Sequence, residues 1–334
     1  DNFIKVISPI DDTPAQRAGI LAGDLIIQLN DQPIKGMTLK ESVDIMRGPK
    51  GTDILLTIIR KNEPMPLKIK VTRDVIKVTS AKGRLLDDNY GYIRVSQFQD
   101  KTARDIERLL QDMKQENKGP LQGLVLDLRN NPGGLLDSSV KISNLFLDKS
   151  NLGHDGIIVS AKGRIDGSNI VEKASGKDML KNAPIVVLVN EGSASASEIV
   201  AGALQDHKRA IILGTPTFGK GSVQTVLPLK NEYGIKLTTA LYYTPNGRSI
   251  QAQGIQPDII IEHKTINTET AKNNSPIAIR EENLSGHFEN QDEALINSQA
   301  DQDKIKKKTS ELADYQLHEA LNILKALQIY RHLS

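Results

Sequence analysis

The sequence predicts a mixed α/β fold in three parts: a small β-rich unit, an α/β core and a helical C-terminal tail. Three observations carry that expectation. Residues 124–128 (LVLDL) and 185–189 (IVVLV) are short unbroken apolar runs, the pattern of strands covered on both faces. From residue 90 onward, runs of this kind alternate with segments of helical period, which argues an α/β core. The first 75 residues instead hold short strand-like runs separated by Gly, Pro, Asn and Asp turns. At 334 residues the chain has length for two domains and a substantial hydrophobic core.

Composition narrows the function classes. With 43 Lys+Arg against 41 Asp+Glu the formal net charge is +2, too small a bias for a strong nucleic-acid or membrane-surface partner. The basic run Lys306, Lys307, Lys308 reads as a solvated helix face. There is no cysteine, which excludes disulfides, thiolate catalysis and cysteine-ligated zinc. No arrangement of the six histidines gives an HExxH zinc helix. No apolar run approaches the roughly 18 residues of a membrane span. The chain opens without a Met or a signal peptide, inside a strand-like pattern, and so reads as part of a longer precursor.

Residues 3–7 (FIKVI) form a strand-like run, and Ser8-Pro9 and 12–14 (DTP) supply turn chemistry before a short helix over 15–21. Strands follow at 25–29 and 32–34 around an Asn30-Asp31 turn, and further strands at 54–60 and 67–71. Between them, Thr38 with Glu41 makes a capping box. The helix it starts runs to Arg47 and places Leu39, Val43 and Met46 on one face. This unit, residues 1–75, resembles a PDZ domain through SPIDDTPAQRAGILAGDLIIQLNDQPI (8–34) and the helix after it. PDZ domains add a peptide C-terminus as a strand beside a helix. The resemblance therefore implies a groove flanked by Leu39, Val43 and Met46. The family's first strand and carboxylate-holding loop would precede residue 3, so a partial PDZ domain is expected.

The core is expected over 76–263. Residues 75–86 read as a connecting strand or linker and 90–95 (YGYIRV) as a strand. Asp100 or Thr102 is the expected cap of a helix with Ala103, Ile106, Leu109, Leu110 and Met113 on one stripe. After 124–128 come RNNPGG (129–134) and a helix over 135–147. The polar stretch 148–182 contains a hairpin, 156–161 with 164–171. Strand 185–189, helix 196–204, strand 210–213 and a hairpin of 222–229 with 235–241 complete the core. The third part, 264–334, is a polar connection followed by a helix. Its stripe Leu312, Leu317, Ala320, Leu321, Leu324, Leu327 either docks on its own domain or joins copies of the chain.

Chemistry concentrates in NEGSASASEIVAGALQDHKRAIILGTPTFGKGSVQ (190–224). Ser193, Ser195 and Ser197 sit where a buried strand turns into a helix. A serine there is exposed on a sharp turn, close to backbone N–H groups that hold an oxyanion. Caps and small packing residues are the plainer reading, and spacing does not choose among the three. His207 lies in a charged loop, DHKR. Lys220, between two glycines, is a base only as the neutral amine, a form favoured by desolvation or neighbouring positive charge. By position alone it reads as an exposed loop lysine. In a straight strand the Gln224 Cα would lie about 13 Å from that of Lys220, so the two side chains meet only if 219–221 bends. RNNPGG offers backbone donors but is no nucleotide loop.

GSASASEIVAGALQD with GTPTFGKGSVQ, preceded by LDLRNNPGG and followed by YYTPNGRSIQAQGIQPDI (242–259), resembles the carboxy-terminal processing peptidases, or tail-specific proteases. The likeness covers 3 to about 262, and REENLSGH and DYQLHEALNILK are similar to bacterial envelope members. It implies a PDZ domain on a ClpP- and crotonase-like β-β-α serine peptidase core that cleaves proteins near their C-termini. On that likeness the nucleophile is Ser195, the base Lys220 and its support Gln224. Ala196 N–H and the N–H of Gly133 or Gly134 would form the oxyanion hole. It implies no metal or cofactor, a periplasmic or envelope location, substrates with exposed or unstructured C-termini, and in some relatives a lipoprotein adaptor. A homo-oligomer through terminal segments is expected. The rival readings are a catalytically silent PDZ scaffold that binds protein C-termini, and an acyl-CoA-handling relative.

Overall fold

The computed structural model describes residues 3–7, 9–61, 63–76, 79–86, 89–163, 169–228, 233–262 and 314–333. The expected polar connection, Lys306–Lys308 and Leu312 lie outside the described residues.

The first unit is a small antiparallel sheet. It contains β1 (Ile4–Lys5), α1 (Pro14–Arg17), β2 (Leu25–Leu29), β3 (Gln32–Pro33), α2 (Leu39–Met46), β4 (Asp53–Ile59) and β5 (Leu67–Thr72). Strand order is β1-β2-β4-β5, with β3 paired to β2. The capping box fixes the start of α2: the Thr38 N–H donates to Glu41 at 2.7 Å and the Glu41 N–H to the Thr38 hydroxyl at 3.2 Å. Its other end is closed from β5, because the Arg73 guanidinium donates to the orphan carbonyls of Ile45 and Met46. Ile20, Ile26, Leu29, Ile34, Ile54, Leu56, Ile58 and Val71 form the core.

The second unit is built on β6 (Ala81–Leu86), β7 (Tyr90–Val95), α3 (Thr102–Glu116), β8 (Gly123–Asp127), α4 (Leu136–Asn144), β9 (Ile157–Gly163), β10 (Ile170–Lys173), β11 (Ile185–Val189), α5 (Ala196–Asp206), β12 (Ala210–Gly214), β13 (Ser222–Pro228), β14 (Gly234–Tyr243) and β15 (Ile259–Ile260). The main sheet runs β15-β12-β11-β8-β7-β6, parallel except for the β6–β7 pair; a second sheet runs β10-β9-β14-β13. Every residue of β8 and β11 is buried, as their unbroken apolar runs predict. Alternate residues point to opposite faces. Leu124, Leu126, Ile185, Val187 and Val189 pack with residues of α3, α4 and α5 in one cluster.

The other face carries Val125, Val186, Leu188 and Leu213, and it is covered by α6 (Tyr315–Leu333). Leu317, Ala320, Leu321 and Leu324 of α6 are buried there, and burying each leucine contributes roughly 1.5–3 kcal/mol. Of the two roles open to that stripe, docking on its own domain is the one observed. The stripe thus supplies no argument for self-association.

One cap differs from expectation. α3 begins with Lys101 at its cap, not Asp100 or Thr102. Thr102 turns inward instead: its buried hydroxyl accepts from the Gln99 N–H and donates to Ser80. The two units meet through ion pairs. Asp11 binds Arg94 of β7 at 2.9 Å, and Asp12 binds Lys82 of β6.

Candidate active site

Strands β8 and β11 are parallel neighbours, so the loops at their C-terminal ends lie side by side, where an open α/β sheet places ligands. The first loop is RNNPGG and the second is NEGSASAS. Asparagines stitch them together. The Asn130 N–H donates to Asn190 Oδ1 at 2.7 Å, and Asn190 Nδ2 donates back to Asn130 Oδ1 at 2.8 Å. Asn131 is wholly buried; its side chain donates to the Val95 carbonyl and accepts the Gly133 N–H. Its own carbonyl accepts the Ala194 N–H and the Ser197 hydroxyl.

These contacts separate the three serines. Ser193 is fully buried and its hydroxyl donates to the Leu128 carbonyl at 2.8 Å. Ser197 is fully buried and its hydroxyl donates to the Asn131 carbonyl at 2.9 Å. Both are structural. Ser195 is partly exposed, and its O–H donates to no described residue. It caps α5 with φ 56° and ψ −111°, a left-handed conformation that costs a non-glycine residue of order 1–3 kcal/mol. Ser195 thus forms a sharp elbow at the head of α5.

Gly133 packs beneath that elbow. A Cβ there would lie 2.7 Å from the Ala194 carbonyl oxygen, 2.9 Å from Ser195 Cβ and 3.0 Å from the Ala196 nitrogen. A Cβ on Gly134 would lie 2.1 Å from the Phe98 carbonyl oxygen. Glycine is therefore required at both positions by close backbone approach. The two differ in their donors. The Gly133 N–H is taken by Asn131 Oδ1 at 2.9 Å, whereas those of Gly134 and Ala196 have no acceptor among the described residues.

A residue that the sequence reading passed over joins the serine to the lysine segment. Glu198 of α5 is fully buried. Its Oε2 accepts the N–H of Ser195 at 2.7 Å and that of Lys220 at 2.9 Å. Its Oε1 accepts the Thr217 hydroxyl at 2.6 Å and the Gly219 N–H at 2.7 Å. One carboxylate oxygen thus fixes the backbones of Ser195 and Lys220 together. The signal was present as Ser195-x-x-Glu198, a capping-box pattern at the head of an otherwise small and apolar helix.

The side chains of the expected dyad are not joined. Lys220 is exposed, and its Nζ bonds no described residue. Gln224 is also exposed, just past a register shift between Val223 and Gln224 in the β13–β14 pair. No hydrogen bond connects it to Lys220 among the described residues. His207 lies apart, bonded through Nε2 to the Ile157 carbonyl and edge-on to His154.

In the first unit, Val43 and Met46 line an apolar groove of about 960 Å³ with Val6, Ile20, Ile26 and Ile54. Leu39 does not line it; at the first turn of α2 it is 66% exposed. Farther along, Pro9, Ile10 and Asp11 share a small cavity with Arg94, Asn130 and Pro132 of the RNNPGG side. Among the described residues, no group of three or more His, Asp or Glu could hold a metal ion.

Comparison with known proteins agrees with this layout. A PDZ domain model matches residues 5–60 and the model of peptidase family S41 matches 89–261. A "carboxy-terminal-processing protease" of Bartonella bacilliformis is 50% identical over 297 residues, covering 88% of this chain and 66% of that protein. "Carboxy-terminal processing protease CtpA" of Bacillus subtilis is 38% identical, covering 78% of this chain and 54% of the relative. The solved "Photosystem II D1 C-terminal processing protease" superposes with TM-score 0.66 at 30% identity, over 78% of this chain and 69% of that one. The chain thus spans about half to two thirds of the curated relatives it matches. With a PDZ domain ahead of a peptidase match that covers more than half of its residues, this protein belongs to peptidase family S41.

Proposed function

We propose that this chain is a serine endopeptidase that cleaves protein substrates near their C-termini, with Ser195 as nucleophile, Lys220 as base and Gln224 as support for the lysine. One observation carries the reading. Of three neighbouring serines, two have hydroxyls tied to backbone carbonyls, while Ser195 stands on a strained elbow with its hydroxyl undonated. C-terminal cleavage is taken from the names of the relatives.

In this mechanism Lys220, as the neutral amine, removes the Ser195 proton while Oγ attacks the scissile carbonyl. The N–H groups of Ala196 and Gly134 hold the oxyanion. Gly134 is preferred to Gly133, whose N–H already serves Asn131. Lys220 then passes its proton to the leaving amine. A water, deprotonated by Lys220, attacks the acyl-enzyme; the new C-terminus leaves as Lys220 returns the proton to Ser195 Oγ. Glu198 touches no substrate; it holds the Ser195 and Lys220 backbones in register.

For the transfer to occur, the exposed Lys220 side chain turns toward Ser195 while Glu198 keeps the two backbones together. The PDZ domain would control that step. Its loop at Pro9–Asp11 shares a cavity with Asn130 and Pro132, and Asp11 is paired to Arg94. Capture of a substrate C-terminus in the Val43–Met46 groove would shift the loop. An envelope location, and any lipoprotein adaptor, belong to the same proposal; no described helix is long and apolar enough to cross a membrane.

The exposed, unjoined Lys220 favours one rival, a PDZ scaffold on a silent core. Cleavage of casein by this chain and by Ser195→Ala, side by side, decides between them. The expected result is proteolysis reduced to background in Ser195→Ala, with the same melting temperature. Equal cleavage by both would remove Ser195 from the mechanism. Cleavage by neither, at every enzyme concentration tried, would favour the scaffold.

A further inference from the structure

The guanidinium of Arg129 stands at the entrance to the RNNPGG loop and is gripped from two sides. Behind it, Asp127 of β8 accepts from Nε at 3.0 Å and from one terminal nitrogen at 2.6 Å. In front, Asp314 accepts from both terminal nitrogens, at 2.9 and 2.6 Å. Gln316 Oε1 accepts at 3.0 Å. All five donors of the guanidinium are used. Asp314 and Gln316 belong to the start of α6, beyond residue 261 where the family match ends. Gln316 also donates to the Ile261 carbonyl at 2.6 Å, so the head of α6 is itself anchored beside the sheet.

The segment after Arg129 is tightly coupled to it. The Arg129 N–H donates to Asp127, Asn130 is held by Asn190, and Asn131 carries Gly133. Arg129 is the first residue of that bonded segment, so a clamp on Arg129 acts on the N-terminal end of the loop that carries the donors next to Ser195. We infer that Asp314, assisted by Gln316, is a positioning residue of the peptidase: it clamps Arg129 and so sets the backbone of 130–134, including the Gly134 N–H that receives the oxyanion. The inference rests on the Ser195 reading and adds a residue from the C-terminal helix to it.

The apolar stripe of α6 docks the helix without Asp314, so the clamp and the docking separate experimentally. Asp314 also caps α6, accepting the Leu317 N–H. Asp314→Asn keeps a capping oxygen and loses the charge. The assay uses the whole chain, a peptide substrate, and a peptide aldehyde whose adduct with the serine places an oxyanion in the same hole. For Asp314→Asn, kcat is expected to fall about tenfold and the aldehyde Ki to rise by about the same factor, with KM and melting temperature unchanged. Asp314→Glu should recover part of both. If Asp314→Asn does not fold, Gln316→Leu should move kcat and Ki together about threefold. Unchanged kcat and Ki in a folded variant would overturn the clamp, as would a kcat loss without a matching change in Ki. Should Ser195→Ala still cleave, the underlying reading fails. Should Ser195→Ala be silent and Asp314→Asn behave as wild type, only the clamp fails.

Discussion

The PDZ core is mainly aliphatic, from Ile20 to Val71, with Asp24 paired to Arg60 as its buried charge, and the domain opens onto an apolar groove. The catalytic end of the peptidase core instead buries Asp127, Asn131, Ser193, Ser197 and Glu198, each 2% exposed or less. Apolar contacts are non-directional, so a groove built from them tolerates substitution and accepts varied side chains. A buried polar network is directional, and each member left without its partner costs about 1–3 kcal/mol. One region is built to accommodate and the other to hold geometry. Five substitutions press on that difference.

The largest effect belongs to Glu198→Gln. The amide would turn an NH2 toward two donors of Ser195, Thr217, Gly219 and Lys220, leaving them unpaired inside the protein. Activity should fall about 100-fold or more, because Ser195 and Lys220 lose their common anchor, and stability by about 1–3 kcal/mol. Its counterpart in the PDZ domain is the wholly buried Ser42, whose hydroxyl donates to the Thr38 carbonyl within its own helix. Ser42→Ala should cost about 1 kcal/mol or less and leave kcat unchanged. Urea titration and casein turnover of the two variants test the contrast. Equal losses would break it.

That anchor also marks the limit of what the sequence discloses. Strands β8 and β11 and the head of α2 were legible, because unbroken apolar runs and a capping box are local signals. The docked stripe of α6 was legible as a pattern, but its target was not. The serine and lysine were singled out by residue type and chosen by family likeness; spacing left three serines equal. What separates them is where each hydroxyl goes, and that depends on Asn131 and Leu128, more than sixty residues away in the chain. Arg129 and Asp314 are farther apart still, and neither carries a local mark of the pairing. Thr102 misled because its hydroxyl, suited to a cap, was drawn inward to Ser80. Leu39 shared the helical stripe of Val43 and Met46, yet the groove reaches only the last turns of α2.

Acid separates the regions by a smaller, pH-dependent effect. Burial raises the Asp127 carboxyl, but the Arg129 and Arg94 guanidiniums outweigh it and hold it down at about 2, against about 3.9 in an unfolded chain. Between those values the unfolded state binds more protons, so the contribution of Asp127 is full above about pH 4 and is lost as pH falls toward 2. The PDZ carboxyls Asp53 and Asp74 are lowered too, chiefly by bonds to Thr72 and Lys50, but at the exposed surface. Stability followed from pH 5 to pH 2 should therefore fall more steeply in the wild type than in Asp127→Asn. Added salt should weaken the ion-pair part of the PDZ contribution more than that of the buried aspartate. Identical slopes with and without Asp127 would mean that its pairing does not survive in solution.

The smallest effect tests accommodation itself. Val43 faces the groove, whereas Leu39 projects into solvent from the same helix. If the groove holds the apolar end of a substrate, Val43→Ser removes a partly buried contact worth about 1.4 kcal/mol, and peptide affinity should fall about tenfold. The loss should appear in KM for a substrate with an apolar C-terminus and in the anisotropy of a labelled peptide. Because Ser195 does not line the groove, kcat at saturation should not change unless the PDZ domain also sets the position of the Lys220 side chain. In that event kcat and KM move together, and the groove acts as a trigger as well as a tether. Leu39→Ser has no groove contact to lose and should stay within about twofold of wild type on both measures. Equal losses from the two variants would show that the substrate tail lies along the exposed face of α2 instead.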